Sequence, residues 1–303
     1  MELLYWFESI RFPILDEIML LLTRFGEETL FLVAAMTMLW CVDKRKSYYL
    51  LAVGFLGLIT NQFLKITFRI PRPWVLDPEF TILEQAREAA TGYSFPSGHT
   101  QTAVGTFGCI AASVKNRTVK ALCIAVCILV PITRMYIGVH TPLDVCVAAV
   151  MAVLLILVLK PVAGQKHEKW MPWVLGGMVV ASLAFWGYIE LFPFPADIDE
   201  HNYASAVSNA YKFLGAIIGF AVVYIVDKKW LQYEVKAVWW AQIIKVAVGF
   251  GLVLIVKSGL KAPINAIVGA SAGSAVRYFL IVIVAGILWP LSFKFFKGLG
   301  NKE

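Results

Sequence analysis

Hydrophobic residues occur in long runs separated by short polar segments, and nine of these runs approach the length of a membrane span. A helix needs roughly 20 apolar residues, within a range of about 17–25, to cross the hydrocarbon core of a bilayer. We therefore predict an all-α, polytopic bundle of about nine transmembrane helices. The first run is short for a span, so whether it crosses fully stays open. The runs are centred on 28–42, 48–66, 99–114, 119–138, 142–160, 172–191, 210–226, 239–257 and 276–294.

The segment before the first run, residues 1–27, mixes apolar and charged positions. Ile14 and Ile18, for example, flank Asp16. This pattern is typical of an amphipathic helix that lies in the membrane interface. An acidic residue, Glu2, stands where a signal peptide would carry basic residues, so we do not expect cleavage of this segment.

The composition agrees with a chain that is solvated mostly by lipid. Hydrophobic residues make up 59% of the sequence and charged residues 16%, whereas a typical soluble domain has about 25% charged residues. Such a composition excludes a disordered chain, a nucleic-acid-binding domain and an ordinary cytosolic enzyme. The net charge of +7 is then better explained by cytoplasmic loops rich in Lys and Arg than by a nucleic-acid partner.

Lys and Arg are more numerous in one set of loop ends than in the other. The richer set includes segments 44–46, 115–120, 166–169 and 228–229. Basic residues concentrate in cytoplasmic loops, so we expect this set to face the cytoplasm. Nine spans then place the N-terminus outside and the C-terminus inside.

Three short segments hold an unusual density of polar groups for so apolar a chain. In the first, Lys65 and Arg72 are seven residues apart, about two helical turns, and a proline on either side of Arg72 ends the helix there. The second reads Pro-Ser-Gly-His over 96–99. Ser97 is a natural N-cap, and the helix that follows would offer free N–H groups to an anion.

The third segment contains Arg134, His140 and Asp144. Thr141 followed by a proline predicts a helix start, which puts Asp144 in the first turn, within reach of His140. All three segments fall on the same predicted face of the membrane. Three cations, a helix N-terminus, two histidines and a carboxylate would therefore meet in one pocket. Converging cations favour a tetrahedral dianion such as phosphate as the ligand.

In order and spacing, these segments resemble the three-part motif of the type-2 phosphatidic acid phosphatase superfamily. That superfamily includes lipid phosphate phosphatases, glucose-6-phosphatase and the vanadium haloperoxidases. The resemblance covers about residues 28–160 and implies a six-helix core within the bundle. Thr133 departs from the pattern, because the family usually has Ser at this position, although a hydroxyl remains. The matching stretches are Lys65-x6-Arg72-Pro73, Pro96-Ser97-Gly98-His99 and Thr133-Arg134-x5-His140-x3-Asp144.

The resemblance also implies a role for each residue. His140 would be the nucleophile that forms a phosphohistidine, and Asp144 would hold its imidazole in the right tautomer. His99 would protonate the leaving oxygen and then deprotonate the attacking water. The groups expected to bind the phosphoryl oxygens are Lys65, Arg72, Arg134, the Ser97 hydroxyl and the Gly98 N–H.

Phosphoryl transfer needs chiefly positioning and charge stabilisation. Because three fixed cations can take the place of Mg²⁺, we expect turnover with no metal ion and no other cofactor. A site at the headgroup level of the membrane favours a lipid phosphate monoester or diphosphate, whose acyl or prenyl chain stays in the bilayer.

Two alternative functions would use the same pocket of cations and histidines. A lipid phosphotransferase results if an alcohol outcompetes water at the phosphohistidine. An anion or lipid-phosphate transporter would need no nucleophile, but we find no paired discontinuous helices of the kind that transporters use. A haloperoxidase is disfavoured because those relatives are soluble.

We divide the chain into a 1–27 N-terminal interfacial segment, a 28–161 catalytic membrane core and a 162–303 C-terminal transmembrane extension without a chemical motif. Within the extension, Gly215 and Gly219 form a GxxxG that predicts a close contact between helices. The expected partners are a lipid phosphate substrate and the bilayer, not nucleic acid. A homodimer is a further alternative for the oligomeric state. The expected location is the plasma (inner) membrane, with the active site on the extracytoplasmic side.

Overall fold

The computed structural model describes residues 1–297, and every regular element over this range is helical. The predicted all-α bundle is therefore confirmed. In chain order the α-helices are α1 (Glu2–Ser9), α2 (Pro13–Thr23), α3 (Glu28–Cys41), α4 (Lys44–Phe68), α5 (Pro73–Leu76), α6 (Gly98–Ser113), α7 (Arg117–Tyr136), α8 (Pro142–Leu159), α9 (His167–Leu191), α10 (Glu200–Val226), α11 (Trp239–Gly259), α12 (Lys261–Val268), α13 (Ala270–Ile283) and α14 (Lys294–Lys297).

All nine apolar runs fall on helices, and within the described residues seven helical stretches are long and apolar enough to cross a membrane. The two other runs correspond to α3 and α6, which have 14 and 16 residues. Most of α6 is buried, and it packs against α7 and α8. It therefore tolerates polar residues that a lipid-facing span would exclude. The seven stretches are Lys44–Leu76, Arg117–Tyr136, Pro142–Ala163, His167–Leu191, Glu200–Leu231, Trp239–Gly259 and Ala270–Phe296.

Residues 1–27 form two helices, α1 and α2, where the sequence indicated one. The chain breaks before Pro13, which occupies the first turn of α2 and lacks the N–H that a continuing helix would need. Arg11 in the break donates to the carbonyl oxygen of Tyr136 at 2.8 and 3.0 Å. The Tyr136 hydroxyl in turn donates to Asp16 at 2.6 Å. The segment is thus tied to the end of α7, and its position in the membrane interface stays a prediction.

The described chain forms two compact units. Unit 1 comprises residues 1–33, 49–160 and 194–206, and unit 2 comprises residues 34–48, 161–193 and the chain from residue 207. In unit 1, α6 lies between α7 and α8, while α1 and α2 pack on α7. The proposed three-part division of the sequence stays a prediction.

In unit 2 the GxxxG pair makes the close helix contact that the sequence predicted. A Cβ atom on Gly215 would lie 1.9 Å from the carbonyl oxygen of Ala275, and one on Gly219 would lie 3.1 Å from Cβ of Val282. The backbones of α10 and α13 therefore touch at Gly215. Only glycine allows this approach, because any side chain would overlap the backbone of α13.

Candidate active site

The three polar segments meet within unit 1. Lys65 lies in the last turn of α4, Arg72 immediately precedes α5 and Arg134 lies in the last turn of α7. Ser97 caps α6, with Gly98 and His99 as the first residues of that helix, and His140 and Asp144 lie before and within the first turn of α8. Gly98 and His99 are half-buried, and the other six are buried. The sequence therefore identified residues that do come together.

Asp144 is held in place by several donors. Its Oδ2 accepts from the backbone N–H of Thr141 at 2.7 Å and from the hydroxyl of Ser94 at 2.6 Å. The Thr141 hydroxyl accepts the Asp144 N–H at 3.3 Å, which completes a capping box at the start of α8. The same Oδ2 lies 3.4 Å from Nδ1 of His140. One carboxylate therefore starts a helix and orients an imidazole.

His140 presents its second ring nitrogen to a cation. Its Nε2 lies 3.0 Å from Nη1 of Arg72. A guanidinium can only donate, so Nε2 must carry the lone pair, and the ring proton must reside on Nδ1, facing Asp144. Burial, followed by the positive charges of Arg72 and Lys65, holds the pKa of His140 well below its ordinary value of 6.5. The imidazole is therefore neutral at neutral pH, with a nucleophilic nitrogen beside a guanidinium.

Two of the cations are held by backbone carbonyl groups of the loop before α6. Lys65 Nζ donates to the carbonyl oxygens of Tyr93 and, at 3.2 Å, Ser94. Arg72 donates to the carbonyl oxygens of Gly92 at 3.1 Å and Thr91 at 2.8 Å. Residues 91–94 thus position both cations without neutralising them.

The third cation, Arg134, is buried, and its Nη1 donates a hydrogen bond to the hydroxyl of Thr23 at 2.9 Å. Within residues 1–297 its Nε has no hydrogen-bond partner. A buried donor without a partner is costly, and an anion would satisfy it.

The hydroxyl of Thr133, which stands where the resembled motif usually has Ser, donates to the carbonyl oxygen of Val130 at 2.7 Å.

His99 completes the group at the N-terminus of α6. It lies within electrostatic reach of Arg134, Arg72 and Lys65. The Ser97 hydroxyl accepts the Thr100 N–H at 3.4 Å, so it caps α6 as the sequence predicted. The free N–H groups of the first turn add to the positive potential. Such an arrangement can bind a phosphate beside a nucleophile, and the negative charge of the bound phosphate would favour the protonated, proton-donating form of His99 among these cations.

Sequence reasoning missed two side chains of the site, Ser94 and Thr23. Ser94 stands three residues before Ser97, so a polar residue next to the second segment was a usable signal. Thr23 is 111 positions from Arg134, and no local pattern links them. Gly26, three residues after Thr23, also lies close to the site, since a Cβ there would lie 2.7 Å from the carbonyl oxygen of His99.

Comparison with known proteins agrees with this arrangement. Residues 45–168 match the PAP2 superfamily, that of type-2 phosphatidic acid phosphatases, and residues 211–302 match the PAP2 superfamily phosphatase transmembrane extension. The undecaprenyl-diphosphatase BcrC of Bacillus subtilis (strain 168) is 28% identical over 144 residues, which cover 47% of this chain and 72% of that relative.

A probable sphingosine-1-phosphate phosphatase of Dictyostelium discoideum is 28% identical over 163 residues, which cover 50% of this chain and 39% of that relative. No solved structure matches the chain. Both family matches, the helical fold and the residues of the three-part motif lead to one conclusion: the chain is a multi-pass membrane protein of the PAP2 phosphatase superfamily.

Proposed function

We propose that the protein is an integral membrane lipid phosphate phosphatase. It hydrolyses a phosphomonoester or a diphosphate of a lipid through a phosphohistidine at His140, without a metal ion. The observation that carries this proposal is the geometry of the imidazole. Nε2 faces the Arg72 guanidinium at 3.0 Å, while Nδ1 faces the Asp144 carboxylate at 3.4 Å. A neutral nucleophile therefore stands where a phosphoryl group would be drawn by positive charge.

In the first step, Nε2 of His140 attacks phosphorus and the bond from phosphorus to the lipid oxygen breaks. His99 donates a proton to that oxygen, and the dephosphorylated lipid leaves. The Nδ1 proton stays on the imidazole, where Asp144 stabilises the positive charge that develops. In the second step, His99 removes a proton from water, the water oxygen attacks phosphorus, and the electrons of the N–P bond return to Nε2 as phosphate departs.

Charge stabilisation comes from the protein itself. Lys65, Arg72 and Arg134 neutralise the phosphoryl oxygens, and the Ser97 hydroxyl and Gly98 N–H complete the binding at the N-terminus of α6. Fixed cations in a buried site act without reorganisation during the reaction. These groups supply the charge that Mg²⁺ provides in many other phosphoryl transfers.

A lipid substrate is supported by the membrane-embedded fold and by the names of the relatives. One name specifies undecaprenyl diphosphate and the other sphingosine 1-phosphate, each a phosphate on a long apolar chain. Because the opposite loop ends are richer in Lys and Arg, we place the site on the extracytoplasmic side of the plasma (inner) membrane.

The test is phosphate release by purified protein in detergent with EDTA. The substrates are a prenyl diphosphate, phosphatidate, phosphatidylglycerol phosphate, a sphingoid-base phosphate and a soluble sugar phosphate. We expect wild type to favour one of the lipids, and His140→Ala to lose activity by roughly 10³-fold or more. His201→Ala, at an exposed position in the first turn of α10, is the matched control and should retain activity.

Other results would count against the proposal. Activity that EDTA abolishes and Mg²⁺ restores would contradict the metal-free mechanism. Transfer of the phosphoryl group to an added lipid alcohol, with no release to water, would make the protein a phosphotransferase. Lipid-phosphate transport that persists in His140→Asn would replace the enzyme by a transporter.

A further inference from the structure

Unit 2 contains a second polar cavity that the proposed reaction does not use. Its volume is about 400 Å³, and its wall is formed by the first turn of α4, the first turn of α9 and the end of α10. Arg45, His167, Tyr224 and Lys228 are among the residues that line it. Cavities of this size accommodate small ligands.

Most charged groups of this cavity are paired. Lys44 Nζ contacts both carboxylate oxygens of Asp227 at 2.8 and 2.9 Å. Lys228 Nζ lies 2.5 Å from Glu168. Over the part of the chain that the structure describes, Arg45 makes no ion pair. The cavity therefore keeps one cation in excess.

Tyr224 supplies a second, independent observation. Its side chain is only 5% exposed, and its hydroxyl has no hydrogen-bond partner within residues 1–297. A buried phenol normally finds a partner, since an unsatisfied polar group costs free energy. The buried phenol and the exposed Arg45 guanidinium can both donate hydrogen bonds. A ligand that satisfies both is therefore an acceptor with negative charge, for which phosphate is well suited.

An apolar groove adjoins the polar cavity. It also has a volume of about 400 Å³, shares Gln232 and Tyr233 with the polar cavity, and is lined by apolar side chains that include Trp230, Ile287 and Phe293. Here α10 continues into a π-helical turn over Asp227–Leu231, and Gln232 adopts a left-handed conformation with φ of 40°. Charged cavity and apolar groove together match an amphiphile with an anionic head.

The sequence indicates which leaflet supplies this amphiphile. Segments 44–46, 166–169 and 228–229 belong to the Lys-rich loop ends that we predict to be cytoplasmic. Anionic phospholipids of the cytoplasmic leaflet are attracted to such basic segments. A lipid headgroup is therefore favoured over free phosphate, because only the lipid also fills the groove.

We propose that unit 2 binds an anionic phospholipid at this place. Its phosphate accepts hydrogen bonds from the Tyr224 hydroxyl and the Arg45 guanidinium, and an acyl chain lies in the groove beside Trp230. This lipid is a bound ligand and not the substrate. The site would make the stability of the enzyme depend on the lipid composition of its membrane.

The test measures binding to the full-length protein in neutral detergent, by native mass spectrometry and by the shift in Tm. Phosphatidylglycerol, phosphatidylcholine and inorganic phosphate are the probes. We expect phosphatidylglycerol to bind at least tenfold more tightly than either of the others. Tyr224→Phe and Arg45→Gln should each weaken its binding at least fivefold. Neither change removes a hydrogen bond or ion pair within the described chain, so both variants should fold.

Tyr5→Phe and Arg117→Gln make the same chemical changes elsewhere and should leave binding unchanged. His140→Ala should bind phosphatidylglycerol like wild type, which separates this site from the proposed reaction. Wild-type binding by both Tyr224→Phe and Arg45→Gln would overturn the proposal. Equal affinity for inorganic phosphate and phosphatidylglycerol would overturn the lipid as the ligand.

Discussion

Individual residues of the candidate site each make several hydrogen bonds that fix their side chains. Asp144 caps α8 and also accepts from Ser94, while it faces His140. Arg72 binds the carbonyl groups of the loop before α6 and contacts the imidazole through the same guanidinium. Because each of these contacts restricts the others, the side chains have little freedom to leave the geometry that the proposed mechanism requires.

The protonation of His140 leads to a prediction about pH. Burial and the neighbouring cations hold its pKa well below 6.5, so the imidazole stays neutral as the pH falls through 6.5. The acidic limb of kcat/KM that reports this group should therefore lie below pH 6.5. The measurement is a pH profile of kcat/KM, corrected for the titration of the substrate phosphate. An acidic limb at or above pH 6.5 would contradict a depressed pKa.

Thr23 is predicted to position Arg134. Thr23→Val keeps the shape of the side chain but leaves Nη1 of a buried guanidinium without its acceptor, which costs about 1–3 kcal/mol. We expect kcat/KM to fall roughly tenfold or more, mostly through kcat, because Arg134 would act on charge that develops in the transition state.

Two further variants separate positioning from general damage. Thr23→Ser restores the hydroxyl and should recover most of the activity. Thr60→Val makes the same change where the hydroxyl donates to the carbonyl oxygen of Leu56 in its own helix, and it should leave kcat/KM unchanged. Equal losses in Thr23→Ser and Thr23→Val would show that the hydroxyl is not the cause.

At the level of elements, helix termini assemble the site. The end of α4, the end of α7 and the start of α8 each bring one or two of its residues, and the start of α6 brings three. Ser97 also joins two of these termini, because its N–H donates to the carbonyl oxygen of Asp144 at 3.0 Å. The shortness of α6, at 16 residues, fits its place as an interior helix whose N-terminus carries the Ser-Gly-His sequence.

The contact between α10 and α13 can be tested through Gly215. Gly215→Val would place side-chain atoms against the backbone of α13, where a Cβ already lies 1.9 Å from Ala275 O. Overpacking of this kind costs about 1–3 kcal/mol, so we expect a clearly lower Tm in detergent. Gly187→Val is the control, because nothing lies within 4 Å of a Cβ there. Similar Tm values for both variants would show that the helix contact adds little stability.

For the whole molecule, the distribution of Lys and Arg predicts the orientation in the membrane. Glu88 lies in the loop that precedes α6, at the end of the helix that carries the candidate site. Asn116 follows the opposite, Lys-rich end of α6, and both residues are exposed. In a chain without its native cysteines, a membrane-impermeant maleimide added to intact bacterial cells should label Glu88→Cys and not Asn116→Cys. The reverse pattern would place the site in the cytoplasm.

Much of the site could be predicted because the residues of each segment are close in sequence. His140, Thr141 and Asp144 lie within one turn, so a helix start alone brings them together. Arg72 follows Lys65 by seven positions at a helix end bounded by prolines. Ser94 and Thr23 could not be assigned in this way, because hydrogen bonds between distant segments depend on how the helices pack.

The sequence by itself determined the helical membrane fold, the three polar segments and the small residues of the GxxxG, since these follow from hydrophobic length, local spacing and side-chain size. Tertiary structure alone decided that α2 supports the site through Thr23, that backbone carbonyl groups of residues 91–94 hold two cations, and that Tyr224 lines a second cavity. Those features arise where chain segments far apart in sequence meet, and no local pattern encodes such a meeting.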